Sequence, residues 1–596
     1  MDGFLLTKAT DVLRDYFGYD SFRTGQEKVI EKVLSGHDTL CVMPTGGGKS
    51  LCYQVPALVM EGTVLVISPL ISLMKDQVDA LRQAGISAAY INSTMTAEEY
   101  QETMDATIRG EYRLLYIAPE RLDSPSFTNR LQLMHVPLVA IDEAHCISQW
   151  GHDFRPSYRN IRRMVSLFHD KPAVLALTAT ATPAVREDIC AQLNIDEKST
   201  VMTGFERENL TFSVIKGQDR EKFVLDYVKK NDGEAGIIYA ATRKAVDHLY
   251  EVLSKRGVKV GKYHAGLSDE MRQVGQEQFL NDETSVMIAT NAFGMGIDKS
   301  NIRYVIHYQM PRNMESYYQE AGRAGRDGLK SDCTLLFSSQ DVQTQRFLID
   351  QSLDTSRIPM ELEKLQSMID YCHTEVCLQK FIIQYFGEEN VTDCGRCANC
   401  TDTRESLEVT EDVQKVLSCV IRMGQRFGKT MIAQVLTGSR SKKIMDFGFE
   451  KLTTYGILRG RSSKEVSDFI EFIISENHLG VEHGQFPIIY VTENGKAVLM
   501  GEQKVFRKVS VVTKQITKEN PLFEKLRALR RELAQDAGVP PFVVFSDRTL
   551  QDMVSRMPTT EDEFLEVNGV GLTKLERYGE PFLQEIRAFQ NETVST

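Results

Sequence analysis

The stretch Pro44-Thr45-Gly46-Gly47-Gly48-Lys49-Ser50 lies between an apolar run at 39–43 and a second apolar segment that begins at Leu51. The first run predicts a buried strand and the second the start of a helix. A glycine-rich loop between them lets backbone N–H groups point at phosphate oxygens, while Lys49 reaches the β and γ phosphates and Ser50 holds Mg²⁺. We therefore predict a phosphate-binding loop. Met43 stands where the general pattern has glycine, and the alternative is a flexible turn that happens to hold Lys and Ser.

The whole chain has 596 residues, a net charge of −12 and 42% hydrophobic residues. Such a length predicts roughly four domains, and the composition is typical of a globular protein. No apolar run approaches the ~18 residues of a membrane span, and the first residues do not resemble a signal peptide. We expect a cytoplasmic protein with no membrane segment. Because proteins that bind nucleic acid are usually basic, any such contact must come from local patches.

Two series of short apolar runs alternate with helical segments. The first series comprises 64–67, 114–117, 138–141 and 174–177, and the second comprises 236–239, 286–289 and 304–307. Runs of this kind predict parallel sheets that are covered by helices on both faces. Two such lobes in tandem predict a cleft between them.

Polar motifs follow several of these runs. Asp142 and Glu143 come directly after the run 138–141, and the carboxyl end of a parallel strand is where such sheets bind ligands. Asp142 suits Mg²⁺, and Glu143 suits the activation of an attacking water. The alternative is a solvated acidic turn. Thr178-Ala179-Thr180 also follows a strand, and its hydroxyls could link this site to the second lobe, although a structural cap is nearly as plausible.

Two arginines of the second lobe, Arg323 and Arg326, are three residues apart and so share one helical face. An arginine supplied from a facing lobe stabilises the charge that develops on a transferred phosphoryl group. We favour Arg326 as the main finger and Arg323 as its partner. A structural arginine pair is the alternative.

Four cysteines form a cluster in the sequence: Cys377, Cys394, Cys397 and Cys400. In a reducing compartment this spacing favours metal over disulfides, and four thiolates suit a tetrahedral Zn²⁺. An iron–sulfur cluster and metal-free thiols are the alternatives. Cys372 is the rival of Cys377 for the first ligand position.

The ordered motifs resemble the motor of superfamily 2 helicases and, in detail, the RecQ family of DNA helicases in its bacterial form. Residues 19–26 are similar to the adenine-reading segment of that family, in which Tyr19 would stack on the base and Gln26 would offer it a donor and an acceptor. The resemblance implies ATP and Mg²⁺ as cofactors beside structural Zn²⁺. The implied nucleotide-binding residues are Tyr19, Arg23, Gln26, Thr45, Gly46, Gly47, Gly48, Lys49, Ser50 and Asp142.

Residues 148–156 resemble the aromatic-rich loop that links DNA binding to ATP hydrolysis in this family, and they include the single Trp of the chain. Bases stack on aromatic side chains without sequence preference, although a lone Trp is more often a core residue. The implied DNA-binding residues are Gln149, Trp150, His152, Phe154, Arg155, Thr290, Lys442 and Lys443.

The resemblance implies five domains: helicase lobe 1 over 1–205, helicase lobe 2 over 206–345, a helical zinc-binding subdomain over 346–408, a winged helix over 409–517 and a small all-α HRDC domain over 518–596. The expected fold class is therefore multidomain α/β with two tandem RecA-like parallel-sheet lobes. Residues 409–517 hold 16 Lys+Arg against 11 Asp+Glu, a net of +5, which favours duplex binding through phosphates. A solvated basic face is the alternative. Residues 441–452 are the candidate recognition helix.

Residues 518–596 hold 10 Lys+Arg against 14 Asp+Glu, a net of −4. Phe542 stands where a related bacterial protein has a tyrosine at the DNA face, and phenylalanine can stack but cannot donate a hydrogen bond. Both features weaken the expectation that this domain binds single strands, and protein contact or self-regulation is the rival role.

The resemblance implies an ATP-dependent DNA helicase that moves 3′ to 5′ on single-stranded DNA and unwinds duplex or branched DNA in repair and recombination. It also implies a monomer associated with the nucleoid, with single-strand DNA-binding protein and other repair proteins as partners. A translocase or RNA-directed motor is one alternative, and an ATP-gated DNA-binding regulator is another. The set Lys49, Glu143 and Arg326 argues against the regulator, because a binding module needs no water-aligning carboxylate.

Overall fold

The computed structural model describes residues 2–92, 95–294, 299–351, 355–404, 406–482, 487–508, 521–536, 544–545, 547–565, 567, 570 and 574–594. The chain divides into two compact units, Met1–Lys508 and Val509–Thr596. Phe542 lies outside the described residues.

The first lobe is built on a sheet of seven parallel strands. In chain order the strands are β1 Thr39–Val42, β2 Val64–Ile67, β3 Ala88–Ile91, β4 Leu114–Ile117, β5 Leu138–Ile141, β6 Ala173–Thr178 and β7 Thr200–Met202. In space they are ordered β3-β4-β2-β5-β6-β1-β7. The apolar runs of β1, β2, β4, β5 and β6 are buried along their whole length, because alternate residues enter the separate cores on the two faces of the sheet.

The second lobe has a sheet of six parallel strands. They are β8 Leu210–Lys216, β9 Ala235–Tyr239, β10 Val260–Tyr263, β11 Val286–Ala289, β12 Ile302–His307 and β13 Ser331–Phe337. Their spatial order is β10-β11-β9-β12-β13-β8. The prediction of two tandem parallel-sheet lobes is confirmed.

The helices of the first lobe are α1 Asp2–Phe17, α2 Gln26–Leu34, α3 Leu51–Val59, α4 Ile71–Gln83, α5 Ala97–Ile108, α6 Pro125–Leu131, α7 Asn160–Val165 and α8 Pro183–Leu193. Those of the second are α9 Arg220–Lys230, α10 Arg243–Ser254, α11 Asp269–Leu280 and α12 Met314–Ala321. Three helices follow before the loop that carries the last three clustered cysteines: α13 Ser339–Asp350, α14 Ile358–His373 and α15 Leu378–Tyr385. Short 3₁₀ turns are Pro119–Asp123, Ala144–Ile147, Pro156–Arg159, Glu197–Ser199 and Thr355–Arg357.

Strand order explains where the polar motifs of the first lobe meet. The phosphate-binding loop follows β1, Thr178 ends β6 and Asp142 follows β5, and these three strands are neighbours in the order β5-β6-β1. Because parallel strands end at the same edge of a sheet, all three motifs lie side by side.

The remainder of the first unit is a helical domain with two small antiparallel sheets and its own apolar core. Its helices are α16 Thr410–Arg422, α17 Lys429–Leu436, α18 Lys442–Asp446, α19 Ser463–Ser475 and α20 Glu493–Leu499, and its strands are β14 Ser406–Glu408, β15 Leu479–Glu482, β16 Ile488–Val491 and β17 Phe506–Lys508.

The candidate recognition helix is shorter than the sequence predicts. Helix α18 ends at Asp446, and a 3₁₀ turn, Phe449–Lys451, follows it. Gly448 takes a left-handed backbone with φ of 70°, which stops the helix and turns Phe449 into the core while Phe447 stays exposed.

Among the described residues of the second unit the only secondary structure is helical, in agreement with the predicted all-α domain. Its helices are Pro521–Asp536, Asp547–Arg556, Glu561–Leu565 and Glu580–Val594, with a π turn at Leu575–Gly579. They enclose a core that includes Leu526, Phe545, Phe564 and Phe582. Among the described residues of either unit, no helix is both long and apolar enough to cross a bilayer.

Candidate functional site

The phosphate-binding loop connects β1 to α3, and side chains bind the carbonyl oxygens along its length. Lys49 Nζ donates to the oxygens of Met43 and Pro44 at 3.2 and 3.3 Å. Arg207 donates to the carbonyl of Thr45 and Arg23 to that of Gly46, both at 2.6 Å. The Gln26 amide donates to the carbonyls of the next two glycines at 3.2 and 2.9 Å. A Cβ on Gly48, whose φ is +76°, would lie 2.5 Å from this amide, so the position requires glycine.

A cavity of about 570 Å³ opens beside this loop, between the two lobes. It brings together most of the predicted nucleotide residues: Tyr19, Arg23, Gln26, Thr45, Gly46, Gly48, Lys49, Ser50, Asp142, Glu143, Arg323 and Arg326. Gly47 is the predicted loop residue that does not line it. Gln319 and Asp327, which the sequence analysis did not select, also line it.

The pKa values of the two carboxylates that follow β5 are shifted in opposite directions. Burial, reinforced by neighbouring Glu143, raises the pKa of Asp142 to about 7 against the opposing charge of Lys49. Burial also acts to raise the pKa of Glu143, but the adjacent His145 and the charge of Lys49 outweigh burial and lower it to about 2. Glu143 is thus ionised at neutral pH, which is the state that can polarise a water molecule. Burial lowers the pKa of Lys49, while Glu143 and Asp142 oppose that shift.

A pair of stacked histidines connects Glu143 to residues 148–156, here called the aromatic loop. His145 Nδ1 lies 3.3 Å from Glu143 Oε2 and 3.1 Å from the Thr178 hydroxyl. Its ring stacks on that of His152, with centroids 4.3 Å apart and planes at 16°. Burial, and then the charge of His145, lowers the pKa of His152 to about 3, so this ring is neutral near pH 7. His152 therefore lies between Glu143 and the exposed part of the loop.

The aromatic loop exposes its tryptophan while its backbone is fixed. Trp150 is 54% exposed, which excludes the core role, and Gln149 beside it is also exposed. Helix α14 and the turn before it fix the loop: Lys364 Nζ of α14 donates to Trp150 O, and Arg357 of the turn donates to Gly151 O, both at 2.6 Å.

The other predicted loop residues are half-buried. The guanidinium carbons of Arg159 and Arg357 lie 5.0 and 5.6 Å from the centroid of the Phe154 ring. Arg155 donates to Pro69 O at 3.0 Å and pairs with Asp153 at 3.3 Å.

Lys364 also reaches the second lobe. Its Nζ lies 2.9 Å from Oε1 of Glu315, a buried residue in the first turn of α12. Helix α12 ends at Ala321, directly before the two arginines that face the phosphate-binding loop. Lys364 thus links the aromatic loop to the first turn of α12, the helix that precedes residues 322–326, here called the arginine segment.

Sequence reasoning missed Arg207, which touches both lobes. Besides Thr45 O, it donates to the carbonyls of Gly322, Ala324 and Gly325. Its place next to the predicted lobe boundary at 205/206 is the one signal that could have drawn attention to it.

The remaining predicted DNA residues lie elsewhere. Thr290 is buried at the carboxyl end of β11, where its N–H donates to Tyr263 O at 3.2 Å. Lys442 and Lys443 are exposed in the first turn of α18.

The four predicted cysteines converge on one point. The Sγ atoms of Cys377, Cys394, Cys397 and Cys400 all lie within 4.8 Å of one another. The separations Cys377–Cys397 and Cys394–Cys400 are 3.9 and 4.0 Å, close to the ~3.8 Å that tetrahedral Zn–S bonds of ~2.3 Å require. Cys372 is buried outside this cluster.

Backbone N–H groups complete the sulfur environment. The N–H groups of Lys380 and Cys394 both donate to Cys377 Sγ. The N–H of Leu378 donates to Cys397 Sγ, and the N–H of Cys397 donates to Cys394 Sγ. The four N···S distances are 3.2–3.5 Å. Such donors stabilise thiolates, so the residues present fit one zinc ion.

Known protein families match successive regions of the chain, in the same order as the predicted domains. Residues 23–189 match the DEAD/DEAH box helicase family, 219–328 the helicase conserved C-terminal domain, 339–401 the RecQ zinc-binding family, 403–515 the RQC domain and 519–586 the HRDC domain. The cofactor prediction, including zinc rather than an iron–sulfur cluster, agrees with these matches.

Full-length relatives resemble the whole chain. The "ATP-dependent DNA helicase RecQ" of Bacillus subtilis is 57% identical, over 99% of this chain and 100% of that protein. The protein of the same description from Pasteurella multocida is 41% identical, over 99% of this chain and 94% of that protein. Among solved structures, the DUF1998 helicase MrfA bound to DNA is 18% identical, over 65% of this chain and 59% of that one, with a TM-score of 0.48. On the full-length identities, the chain belongs to the RecQ family of ATP-dependent DNA helicases.

Proposed function

We propose that this helicase hydrolyses ATP in the cavity between its lobes, moves 3′ to 5′ along single-stranded DNA and unwinds duplex or branched DNA in repair and recombination. One observation carries the proposal. The 570 Å³ cavity sets Lys49, Asp142 and Glu143 of one lobe against Arg323 and Arg326 of the other. Phosphoryl transfer needs a phosphate cradle, an acid that positions water and a cation supplied from across the site.

The roles follow from the environments. Tyr19 and Gln26 hold the base, and the loop with Lys49 holds the phosphates. Ser50 and Asp142 would hold Mg²⁺, which neutralises phosphate charge when bound. To bind the phosphates, Lys49 leaves the carbonyls of Met43 and Pro44 that it contacts here. Ionised Glu143 orients the attacking water, and Arg326 with Arg323 stabilises the charge that develops.

DNA binding is coupled to this chemistry through the aromatic loop. We assign stacking on bases to exposed Trp150 and contacts with the strand to Gln149, Phe154, Arg155 and Thr290. A shift of the loop reaches Glu143 through the stacked rings of His152 and His145. Lys442 and Lys443 at the start of α18 suit the phosphates of the duplex. The zinc site is structural: it ties the start of α15 to the loop 394–400 and adds folding free energy.

We also propose that the protein acts as a monomer at the nucleoid, with single-strand DNA-binding protein and other repair proteins as partners. Support for this comes from the family alone.

The test is strand release from two forked DNA substrates, one with a free 3′ tail and one with a free 5′ tail, each with and without ATP. Release that needs ATP and the 3′ tail is the expected result. ATP hydrolysis stimulated by DNA without strand release would indicate a translocase. Release from the 5′-tailed fork alone would overturn the polarity, and a comparable rate on an RNA duplex would indicate an RNA-directed motor.

A further inference from the structure

Arg207 is a half-buried arginine in the segment between β7 and β8. Its Nη1 donates to Thr45 O at 2.6 Å and to Gly322 O at 3.2 Å, and its Nη2 donates to Ala324 O at 3.1 Å and to Gly325 O at 3.0 Å. Thr45 belongs to the phosphate-binding loop of the first lobe. The other three acceptors belong to the second lobe, in the segment that carries Arg323 and Arg326.

Only a guanidinium group suits this set of acceptors. Its two terminal nitrogens carry four N–H bonds in one plane, whereas a lysine ammonium has three donors around a single point. The three acceptors of the second lobe follow the C-terminal end of α12, where helix carbonyls lack partners and a positive charge is favourable. These four partners are neutral oxygens, and burial lowers the pKa of Arg207.

The two segments that Arg207 bridges touch each other. A Cβ on Gly322 would lie 3.2 Å from Thr45 Cβ and 2.9 Å from Tyr318 O, so glycine permits this close approach. A Cβ on Gly46 would lie 3.5 Å from Arg326 Cγ. A shift of Thr45 on phosphate binding therefore displaces both Arg207, through their hydrogen bond, and the arginine segment, through its contact with Gly322.

We propose that Arg207 is a positioning residue that transmits the state of the phosphate-binding loop to Arg326 and Arg323. It locks the arginine segment in its catalytic position when ATP fills the loop. Arg207 is not among the residues that line the cavity, so it acts through the two arginines and not on the phosphates themselves. This proposal rests on the proposed function, because it assigns to Arg326 and Arg323 their role in ATP hydrolysis.

The first variant is Arg207→Lys, which keeps the charge and removes the planar fork. We expect the kcat of DNA-stimulated ATP hydrolysis to fall about 10- to 100-fold, the loss typical of a misplaced catalytic group. The Kd for ADP should change less than about 2-fold, because the contacts of ADP with the loop remain. Wild-type kcat in this variant would overturn the proposal.

Arg186→Lys is the matched control. Arg186 Nη1 also donates to carbonyl oxygens, those of Ala181 at 3.1 Å and Phe386 at 2.9 Å, and burial lowers its pKa as well. Because these contacts join the first lobe to the end of α15 and avoid the cavity, its kcat should stay within about 2-fold of wild type.

A double-mutant cycle distinguishes positioning from a general structural role. If Arg207 acts through Arg326, the kcat of Arg207→Lys/Arg326→Ala should match that of Arg326→Ala alone. Losses that multiply would overturn the proposal. Arg207→Gln is the second variant, and loss of ADP binding and zinc content together with activity in both variants would make Arg207 a folding residue and overturn it too. A wild type that hydrolyses no ATP would instead contradict the proposed function.

Discussion

Glu143 adopts a left-handed backbone conformation, with φ of 47°, directly after β5. This conformation costs a non-glycine residue about 1–2 kcal/mol and turns its side chain toward His145 and the cavity. The adjacent His145 and the charge of Lys49 lower the pKa of Glu143 in spite of burial. The residue we assign to water activation is therefore held in a strained, ionised state by its neighbours.

Asp370 on α14 is a half-buried acid outside this chemistry, and the pH dependence of stability can test its assigned pKa. It accepts a hydrogen bond from Gln366 at 2.8 Å and lines a cavity of about 770 Å³ between the aromatic loop, α14 and the strands β15 and β16. Burial raises its pKa to about 8, although the Gln366 amide opposes this shift. A raised folded-state pKa adds stability below the unfolded value near 3.8, and that contribution is lost as pH rises toward 8.

We predict that Asp370→Asn increases thermal stability more at pH 8.5 than at pH 6, by about 1–2 kcal/mol or ~2–4 °C in Tm. The measurement is thermal unfolding of both proteins at the two pH values. Asp20→Asn is the control, because its side chain is 98% exposed and its effect should not depend on pH in this range. An Asp370→Asn effect equal at both pH values would contradict the assigned pKa.

The aromatic loop is the element that we expect to convert DNA binding into hydrolysis. Its backbone is fixed by Lys364 and Arg357, while the ring of Trp150 stays exposed. For Trp150→Ala we predict basal ATP hydrolysis within about 2-fold of wild type and a loss of about 10-fold or more in stimulation by single-stranded DNA, because one base-stacking platform contributes ~1–3 kcal/mol. Steady-state ATPase assays across DNA concentrations measure both quantities.

Trp150→Phe is the control for this element, since phenylalanine keeps an aromatic face and should retain most of the stimulation. Full stimulation in Trp150→Ala would show that the exposed ring does not receive DNA.

The cysteine loop 394–400 is an element that depends on its metal. For Cys397→Ser we predict that zinc falls from about one to less than ~0.2 per chain and that Tm falls with it, because metal binding supplies folding free energy. Metal analysis of the purified proteins gives the stoichiometry. Cys372→Ser is the matched control: this buried thiol lies outside the cluster and should leave the zinc content unchanged. A stable wild type without metal would contradict the assignment.

At the scale of the whole molecule, local sequence signals predict the sheets, the phosphate-binding loop and the zinc cluster. Each depends on residues close in sequence or on apolar runs whose pattern is typical of buried parallel strands. Contacts between distant segments could not be predicted in this way. Arg207 and the Lys364–Glu315 pair join segments that no local pattern relates, and the length of α18 depends on whether Phe449 or Phe447 enters the core.

The central claim is that hydrolysis in the interlobe cavity powers DNA unwinding. The most direct measurement is phosphate release and strand separation in one reaction, on a 3′-tailed fork, for wild type and Glu143→Gln. We predict that the variant binds ATP with a Kd close to that of wild type and loses both phosphate release and strand separation, each by about 100-fold or more, because the amide cannot activate water. Strand separation at the wild-type rate without phosphate release, or wild-type hydrolysis in the variant, would contradict the claim.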